Sequence, residues 1–401
     1  MDSRARHTLQ RLGAAYALAW ASTSMAVGPG SAALVRLSGN LGWAGLYVAL
    51  FNVGAAAGAA LGGRAMDRYG RKGPLMASYV VAAGGYVIAG IGAQGGILPL
   101  LVAGAFILAA CFGTAGLSRL AAAEMFAPEE RGRGVAWVQI AAIFGAVAGP
   151  LVLLLSEPLG RLIGRPPLDL VWFLAPPLLL IAAACLAGAA EPRSFVHGTS
   201  AASVPVMNSS GGSPHLVVAA TVSLASSQAS MAAVMGVSGA AIAHAGHGVP
   251  VLSTVMLAHF VGMFALSRVV GRFADRVGRQ QTILVGLALL ASGGAIVALV
   301  PGATGFAIGL ALVGFGWSFG FIGSTVLLAD AAPPARRARI VGRADLTAQL
   351  SSAAIAVSGG WWFASRGVSG LGVLAIAVAI LPIAFFTRSS RYRVEPGKGT
   401  T

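Results

Sequence analysis

Long apolar runs of about twenty residues recur along the chain and constrain its fold more than any other feature. A helix of this length crosses the hydrocarbon core of a bilayer with its backbone hydrogen bonds satisfied internally. Alternating segments of the kind that build membrane β-barrels are absent from the sequence. Only 10% of the residues are charged, against about 25% in soluble domains. The sequence therefore predicts an all-α integral membrane protein.

Twelve transmembrane helices are expected, in two pseudo-symmetric six-helix bundles. We call them spans one to twelve, and their expected bounds are 13–34, 42–63, 74–93, 97–122, 134–156, 168–190, 216–243, 250–270, 281–301, 304–329, 341–364 and 368–387. The N-terminal bundle takes residues 1–190. A cytoplasmic linker rich in Ser, Gly and Pro takes residues 191–215. Residues 216–401 form the C-terminal bundle and a short cytoplasmic tail.

The distribution of basic residues predicts the orientation of the chain. With the N-terminus in the cytoplasm, every Lys and Arg falls on a cytoplasmic segment except Arg36, Arg161, Arg165 and Arg366. This is the positive-inside pattern of membrane proteins. The net charge of +15 then reflects topology and contact with anionic lipid rather than a nucleic-acid groove. We expect a bacterial cytoplasmic membrane protein with both termini in the cytoplasm.

Two short motifs occur once in each half of the chain. The segment "GRAMDRYGRK" begins at Gly63, and "GRFADRVGRQ" begins at Gly271. Likewise "AEMFAPEERGR" begins at Ala123, and "ADAAPPARRAR" begins at Ala329. In both cases the second copy follows the first after nearly the same number of residues, which indicates a duplicated six-helix unit. Parallel halves of this kind place a substrate near the middle of the bilayer, between them.

Over essentially its full length the chain resembles the major facilitator superfamily. The loop after span two carries that family's signature G-x-x-x-D-R-x-G-R-[RK] in full, and the second copy ends in Gln280 instead of a basic residue. The resemblance implies the major facilitator fold and transport by alternating access. It also implies a gating role for charged residues of these loops, namely Asp67, Arg68, Arg71, Glu124, Asp275, Arg276, Arg279 and Asp330. The alternative is that these charges only set the topology.

A segment rich in Met and His covers residues 231–263, "MAAVMGVSGAAIAHAGHGVPVLSTVMLAHFVGM". Met231 and Met235 are four residues apart on span seven, and His259 and Met263 are four apart on span eight, so each pair shares a helix face. The antiparallel spans should bring the two pairs to similar depths. Three further residues are expected near the outer mouth as a capture site for metal: His244, His247 and Met256.

Thioether and imidazole groups together suit a soft cation, above all Cu(I). Met is also a common core filler, so packing is the competing explanation. The pattern M-x-x-x-M followed by H-x-x-x-M resembles the CcoA-like bacterial copper importers, a branch of the superfamily. That resemblance implies copper ligation by Met231, Met235, His259 and Met263, and copper delivery for cytochrome c oxidase maturation. Copper would be cargo, no prosthetic group is expected, and a cytoplasmic copper chaperone is a candidate recipient.

The alternative function is a proton-coupled exporter of drug-like or other small lipophilic molecules. Asp345, near the cytoplasmic start of span eleven, is the candidate for proton coupling, and the Gly149–Pro150 kink in span five favours the same interpretation. An acidic residue at a helix N-terminus is also favoured by the helix dipole alone. The sequence contains no nucleotide-binding or hydrolase motif, so we expect a secondary transporter and not an enzyme.

Overall fold

The computed structural model describes residues 3–126, 131–195, 213–333 and 337–385, and within these residues the chain forms helices and no strand. The N-terminal half contains α1 (Ser3–Ser38), α2 (Leu46–Tyr69), α3 (Lys72–Gly95), α4 (Leu98–Ala115), α5 (Ser118–Ala123), α6 (Arg131–Leu154), α7 (Ser156–Ile163) and α8 (Val171–Ala187). The C-terminal half contains α9 (Pro214–Met235), α10 (Ser238–His244), α11 (Val249–Phe264), α12 (Ser267–Val277), α13 (Arg279–Leu299), α14 (Gly302–Ala331) and α15 (Arg337–Ile380). Most of the predicted linker, residues 196–212, and the C-terminal tail, residues 386–401, lie outside the described residues.

Several predicted spans are each built from two consecutive helices. Span four is α4 followed by α5, span seven is α9 followed by α10, and span eight is α11 followed by α12. The reverse occurs in α15, which runs through spans eleven and twelve. Gly367 interrupts α15 with φ 64° and ψ −159°, a left-handed backbone that favours glycine.

Ten helical segments of the described residues are long and apolar enough to cross a membrane. The last of them has 47 residues, about 70 Å of helix, which exceeds twice the thickness of a hydrocarbon core. Because Gly367 interrupts it, this segment makes two crossings. Helix α1 is long enough but less apolar, since Ser22, Thr23 and Ser24 lie at its centre, and all three are buried in the protein. Counting α1 and dividing the last segment gives the predicted twelve crossings.

The charged loops of both halves lie on one side of the molecule, which we call the charged side. Asp67 is at the end of α2, and Gly45 precedes the start of the same helix. Gly45 and Gly42 contact Ala356 and Gly360 of α15, far from the start of α15 beside Asp330. Helices α2 and α15 are therefore antiparallel, and Asp330 lies on the same side as Asp67.

The two halves touch closely on the opposite side. A Cβ on Gly45 would overlap the carbonyl oxygen of Ala356, and a Cβ on Gly239 would overlap the carbonyl oxygen of Gly28. Because these glycines have no side chain, the backbone of α2 can contact that of α15. The backbone of α10 can contact that of α1 in the same way. Nearer to the charged side than these glycine contacts, the side chains of Asn52 and Ser352 join the two halves with a 2.9 Å hydrogen bond. The protein is thus closed on the side opposite the charged loops.

Candidate functional site

A cavity of about 470 Å³ lies between the two halves and is lined by residues of both. Its walls come from α1, α2, α4, α5 and α6 of the N-terminal half and from α9, α11, α14 and α15 of the C-terminal half. Toward the charged side it reaches Arg119, Gly342 and Asp345, which are exposed. The volume is typical of sites for small organic molecules, which occupy about 300–1,000 Å³.

Aromatic rings from both halves form a continuous network along the cavity wall. The Trp20 ring packs edge-on against Phe112 at 5.2 Å and against Phe264 at 5.7 Å between centroids. Phe264 in turn packs against Trp317 at 6.1 Å, and Trp317 stacks on Phe321 at 4.8 Å. The Trp20–Phe264 contact crosses from the N-terminal half to the C-terminal half. These distances are those of favourable aromatic pairs.

Four amide side chains are among the uncharged polar groups of the cavity. Asn52 donates to Ser352 across the halves, and Gln228 accepts a hydrogen bond from the Trp317 indole at 2.5 Å. Gln139 and Gln349 also line the cavity. The arrangement is a mainly apolar pocket with a few fixed polar groups, as expected for a site that orients an organic ligand.

One cation and one anion line the end of the cavity toward the charged side. Arg119 belongs to α5 of the N-terminal half and Asp345 to α15 of the C-terminal half. Arg119 is near enough to Asp345 for the two charges to interact. The sequence singled out Asp345, and the structure places it at the cavity wall. Arg119 was assigned to topology alone, although it lies inside the apolar run of span four.

The structure does not bring together all four residues that were expected to bind copper. Met231, Met235 and Met263 line the cavity. His259 is fully buried beside α14, where its Nδ1 lies 2.9 Å from the carbonyl oxygen of Leu310, and it is not among the cavity-lining residues. Its Nε2 has no hydrogen-bond partner within the described residues. Three of the four expected ligands therefore share one space, and the fourth packs against a neighbouring helix.

The residues expected at the outer mouth occupy different environments. His244 and His247 are exposed on the side opposite the charged loops, and the His244 ring packs edge-on against Phe363 at 6.1 Å. Met256 is buried, with its sulfur 4.0 Å from the Ser238 hydroxyl. It therefore fills the space between α10 and α11 and does not reach the mouth. Within the described residues, His, Cys, Asp and Glu form no group of three or more that could hold a metal ion.

Arg71 is the centre of the charged loop in the N-terminal half. Its guanidinium pairs with Glu124 at 2.5 Å and with Asp67 at 3.2 Å, and its side chain is only 7% exposed. The hydrogen bond to Glu124 raises the pKa of Arg71 further above its ordinary value. The neighbouring Arg68 lies over the Tyr69 ring at 5.3 Å.

The C-terminal half repeats this arrangement in a more open form. Arg279 pairs with Asp330 at 3.1 Å and with Asp275 at 3.3 Å, and its side chain is 30% exposed. Arg276 is exposed in the last turn of α12. The positions equivalent by sequence duplication, Arg71 and Arg279, thus make equivalent pairs.

Glu191 is a loop residue that the sequence interpretation assigned to the linker. Its carboxylate accepts hydrogen bonds from the backbone amides of Arg71 and Lys72, at 2.7 and 3.1 Å. It therefore caps the start of α3, where the helix dipole favours a negative charge. The sequence signal was weak, because Glu191 is about 120 residues from the amides that it caps.

Replacing Arg71 with alanine should reduce transport about threefold to tenfold while ligand affinity stays within about twofold. Arg71 lies outside the cavity, so its loss changes the positions of α2, α3 and α5 and not the binding site. The measurement is uptake normalised to protein in the membrane, together with binding in detergent. Arg68→Ala is the matched control, because it removes an equal charge from the loop but no ion pair with Glu124. Loss of binding in folded Arg71→Ala would contradict the assignment.

The sequence pattern of the Major Facilitator Superfamily matches residues 12–208 and 218–401. The chain belongs to the major facilitator superfamily. It is a multi-pass membrane transporter and not an enzyme, with the all-α fold expected from its sequence.

Relatives and solved structures agree with this assignment. The chain is 29% identical over 378 residues to an uncharacterized transporter of the superfamily, YdeG of Bacillus subtilis, which covers 88% of this chain and 85% of YdeG. It is 28% identical over 362 residues to the riboflavin transporter RfnT of Brucella anthropi, with 85% of each chain covered. The partially occluded inward-open xylose transporter XylE of E. coli shares the fold with a TM-score of 0.69, at 16% identity and full coverage of both chains. None of these relatives is named for copper.

Proposed function

We propose that this facilitator transports a flat aromatic organic solute, of the size and character of a flavin ring, by alternating access through the central cavity. The observation that carries the proposal is the ring network that runs from Trp20 in one half to Trp317 in the other. Flat π-systems bind between such rings in stacked and edge-on geometries. The volume of about 470 Å³ suits such a molecule.

The position of the network at the boundary of the halves suits a transport cycle. The rings of Trp20 and Phe264 meet across the boundary, so rocking of one half against the other changes the distance between them. A solute held between rings of both halves has different affinities for the two conformations. Such a difference is what allows binding to shift a conformational equilibrium.

The relative from Brucella anthropi supports this class of solute, because it is a riboflavin transporter. Riboflavin consists of a flat fused ring system and a flexible polyhydroxy chain. The ring system matches the aromatic part of the cavity, and the four amides, Asn52, Gln139, Gln228 and Gln349, offer hydrogen bonds to hydroxyl groups.

Asp345 is proposed to couple transport to protons, since it is an acidic group at the cavity wall beside a cation of the other half. Both termini are proposed to be cytoplasmic in a bacterial inner membrane, as the basic loops indicate. The cavity, open toward the charged side, then faces the cytoplasm. The direction of net flux follows from the gradients of solute and protons.

Copper import is the second candidate, and the three thioethers in the cavity favour it. Met231, Met235 and Met263 are soft ligands for Cu(I), and all three line the cavity. Delivery to oxidase maturation, through a cytoplasmic copper chaperone, belongs to the same hypothesis. Two observations weigh against it: His259 packs on Leu310 outside the cavity, and the space is much larger than a bare ion needs.

Parallel flux measurements on one preparation distinguish the two candidates. The purified protein is reconstituted in vesicles and supplied with riboflavin in one series and with Cu(I) in the other. We expect saturable riboflavin flux above that of empty vesicles, and copper flux equal to empty vesicles. Copper flux without riboflavin flux would reject the aromatic solute and support copper import.

A further inference from the structure

A second cavity, of about 540 Å³, lies between the first turns of α1 and the end of α8. One wall is residues 187–190, and the other is a face of α1 that presents Ser3, Arg4, His7, Thr8 and Arg11. Arg4, His7 and Arg11 are spaced by three and four residues, so they share one face of the helix. None of the described residues that line this cavity is acidic. The cavity is therefore a concave surface of positive charge.

Hydrogen bonds from two directions hold the wall opposite α1 in place. The backbone amide of Ala190 donates to the hydroxyl oxygen of Thr8 at 3.1 Å. The ammonium group of Lys72 donates to the carbonyl oxygens of Ala187 and Ala189, both at 2.8 Å. Lys72 belongs to the signature loop, so this contact places the cavity on the charged side. It also partly neutralises two carbonyl oxygens that would otherwise disfavour an anion nearby.

The protein does not neutralise the cationic side chains of this cavity. Arg4, His7 and Arg11 are exposed and form no ion pair with any described residue. Glu191, the acidic residue next to the wall, uses its carboxylate on backbone amides at the start of α3. The guanidinium of Arg11 lies against Gly188, where an added Cβ would overlap its Nη1. The charged end of Arg11 is thus at the cavity wall.

The depth of the cavity matches that of lipid headgroups. Helix α1 has 36 residues, about 54 Å, which exceeds the roughly 30 Å of a hydrocarbon core. The apolar run that crosses the bilayer begins near residue 13, so Arg11 lies about 3 Å before it along the helix axis and Arg4 about 14 Å before it. The phosphates of phospholipids lie in this zone just outside the core, and anionic lipids attract basic residues there.

We propose that this cavity binds a phosphate group, carried by an anionic phospholipid of the adjacent leaflet or by a free phosphate ester. The guanidinium groups of Arg4 and Arg11 are its main partners, since a planar guanidinium can donate two parallel hydrogen bonds to a phosphate. His7 and the hydroxyl of Ser3 add donors from the same face of α1. The site is separate from the central cavity, so it does not depend on which solute is transported.

Two lipids with the same acyl chains test the site on the purified full-length protein in detergent, with bound lipid counted by native mass spectrometry. Dioctanoyl-phosphatidylglycerol carries a phosphate, and dioctanoylglycerol does not. The parent should bind the first at least about tenfold more tightly than the second. Arg4→Gln and Arg11→Gln should each weaken phosphatidylglycerol binding about fivefold, the effect of one arginine near an anionic lipid, and leave dioctanoylglycerol binding within about twofold.

Arg6→Gln is the matched control, because it removes an equal charge from the same part of α1. Arg6 is exposed but does not line the cavity. This variant should bind phosphatidylglycerol within about twofold of the parent, since a charge outside the site is screened by solvent. An equal loss in Arg6→Gln would show a general attraction of charge and reject the site. Parental binding by both Arg4→Gln and Arg11→Gln would reject it as well.

Glycerol 1-phosphate, which has no acyl chains, identifies the source of the phosphate. If it binds the parent and Arg11→Gln weakens that binding, the phosphate alone suffices and a soluble ester can occupy the site. If only phosphatidylglycerol binds, the site belongs to a lipid. Equal binding of phosphatidylglycerol and dioctanoylglycerol would mean that acyl chains alone are recognised, and the proposal would be wrong. It also fails if the parent binds neither phosphate compound.

Discussion

Replacing Gly45 with alanine should abolish most transport in a protein that still folds and inserts. A Cβ at this position would overlap the backbone carbonyl of Ala356 in the other half. Backbone cannot move away as a side chain does, so the two halves must separate on the side opposite the charged loops. The conformation open toward the charged side is then destabilised by about 1–3 kcal/mol, the usual cost of overpacking. Its population falls roughly tenfold to a hundredfold, and a cycle that must pass through it slows accordingly.

Two further glycine substitutions separate this conformational effect from a defect in folding. Gly84→Ala should transport like the parent, because no atom lies within 4 Å of the added carbon. Gly58→Ala introduces an overlap with Ala110 inside the N-terminal half, and it should lower thermal stability and the amount of protein in the membrane. Gly45→Ala should keep both near the parent values and lose flux. Parental flux from Gly45→Ala would mean that the contact with α15 is not required in the cycle.

The fold could be predicted from the sequence because a bilayer permits few kinds of secondary structure to cross it. Apolar runs of the length that spans a membrane must be helices, and the positive-inside bias orders them. The two copies of the charged loop then divide the chain into equivalent halves. An ion pair between Glu124 and an arginine of the first loop could also be expected, since both loops are on the same side, but the sequence left Arg68 and Arg71 as equal candidates and the structure pairs Arg71.

The lining of the cavity could not be predicted in the same way. Trp317 lies at the middle of α14, where every face is apolar, because one face meets lipid and the others meet neighbouring helices. No periodicity then marks the face that meets the cavity. A weak signal did exist, since Trp in membrane proteins is enriched at the interfaces and a Trp in the middle of a span is unusual.

His259 shows that two side chains on the same face of a helix can still have different surroundings. The spacing of four residues suggested that His259 and Met263 point in the same direction. Met263 lines the cavity, but the imidazole of His259 lies against the carbonyl oxygen of Leu310, close to Gly314, where the absent side chain leaves room. A buried polar group requires a hydrogen-bond partner, and the Leu310 carbonyl oxygen of α14 is the partner of His259. Sequence spacing gives the face of a helix but not the neighbour that a polar group selects.

The exchange of aromatic rings for leucine in the cavity should cost more than the exchange of thioethers. We expect Phe264→Leu and Trp317→Leu in one protein to weaken riboflavin binding roughly tenfold to a hundredfold, because each aromatic pair contributes about 0.5–1.5 kcal/mol beyond its buried area. Leucine keeps much of the apolar volume, so the helices α11 and α14 stay packed. The measurement is equilibrium binding to the purified variant, with its thermal unfolding temperature as the check on folding.

Met235→Leu with Met263→Leu is the matched double variant, because it also changes two cavity-lining residues but removes no ring. Met and Leu have similar volumes, so each change should cost under about 1.5 kcal/mol in packing. This variant should bind riboflavin within about threefold of the parent, whereas a copper importer would lose two soft ligands at once and most of its copper flux. The aromatic-solute hypothesis therefore predicts the larger loss of function in the ring variant, and the copper hypothesis predicts it in the methionine variant. If the methionine variant loses flux and the ring variant keeps it, the thioethers are the site, and the ring network is packing between the halves.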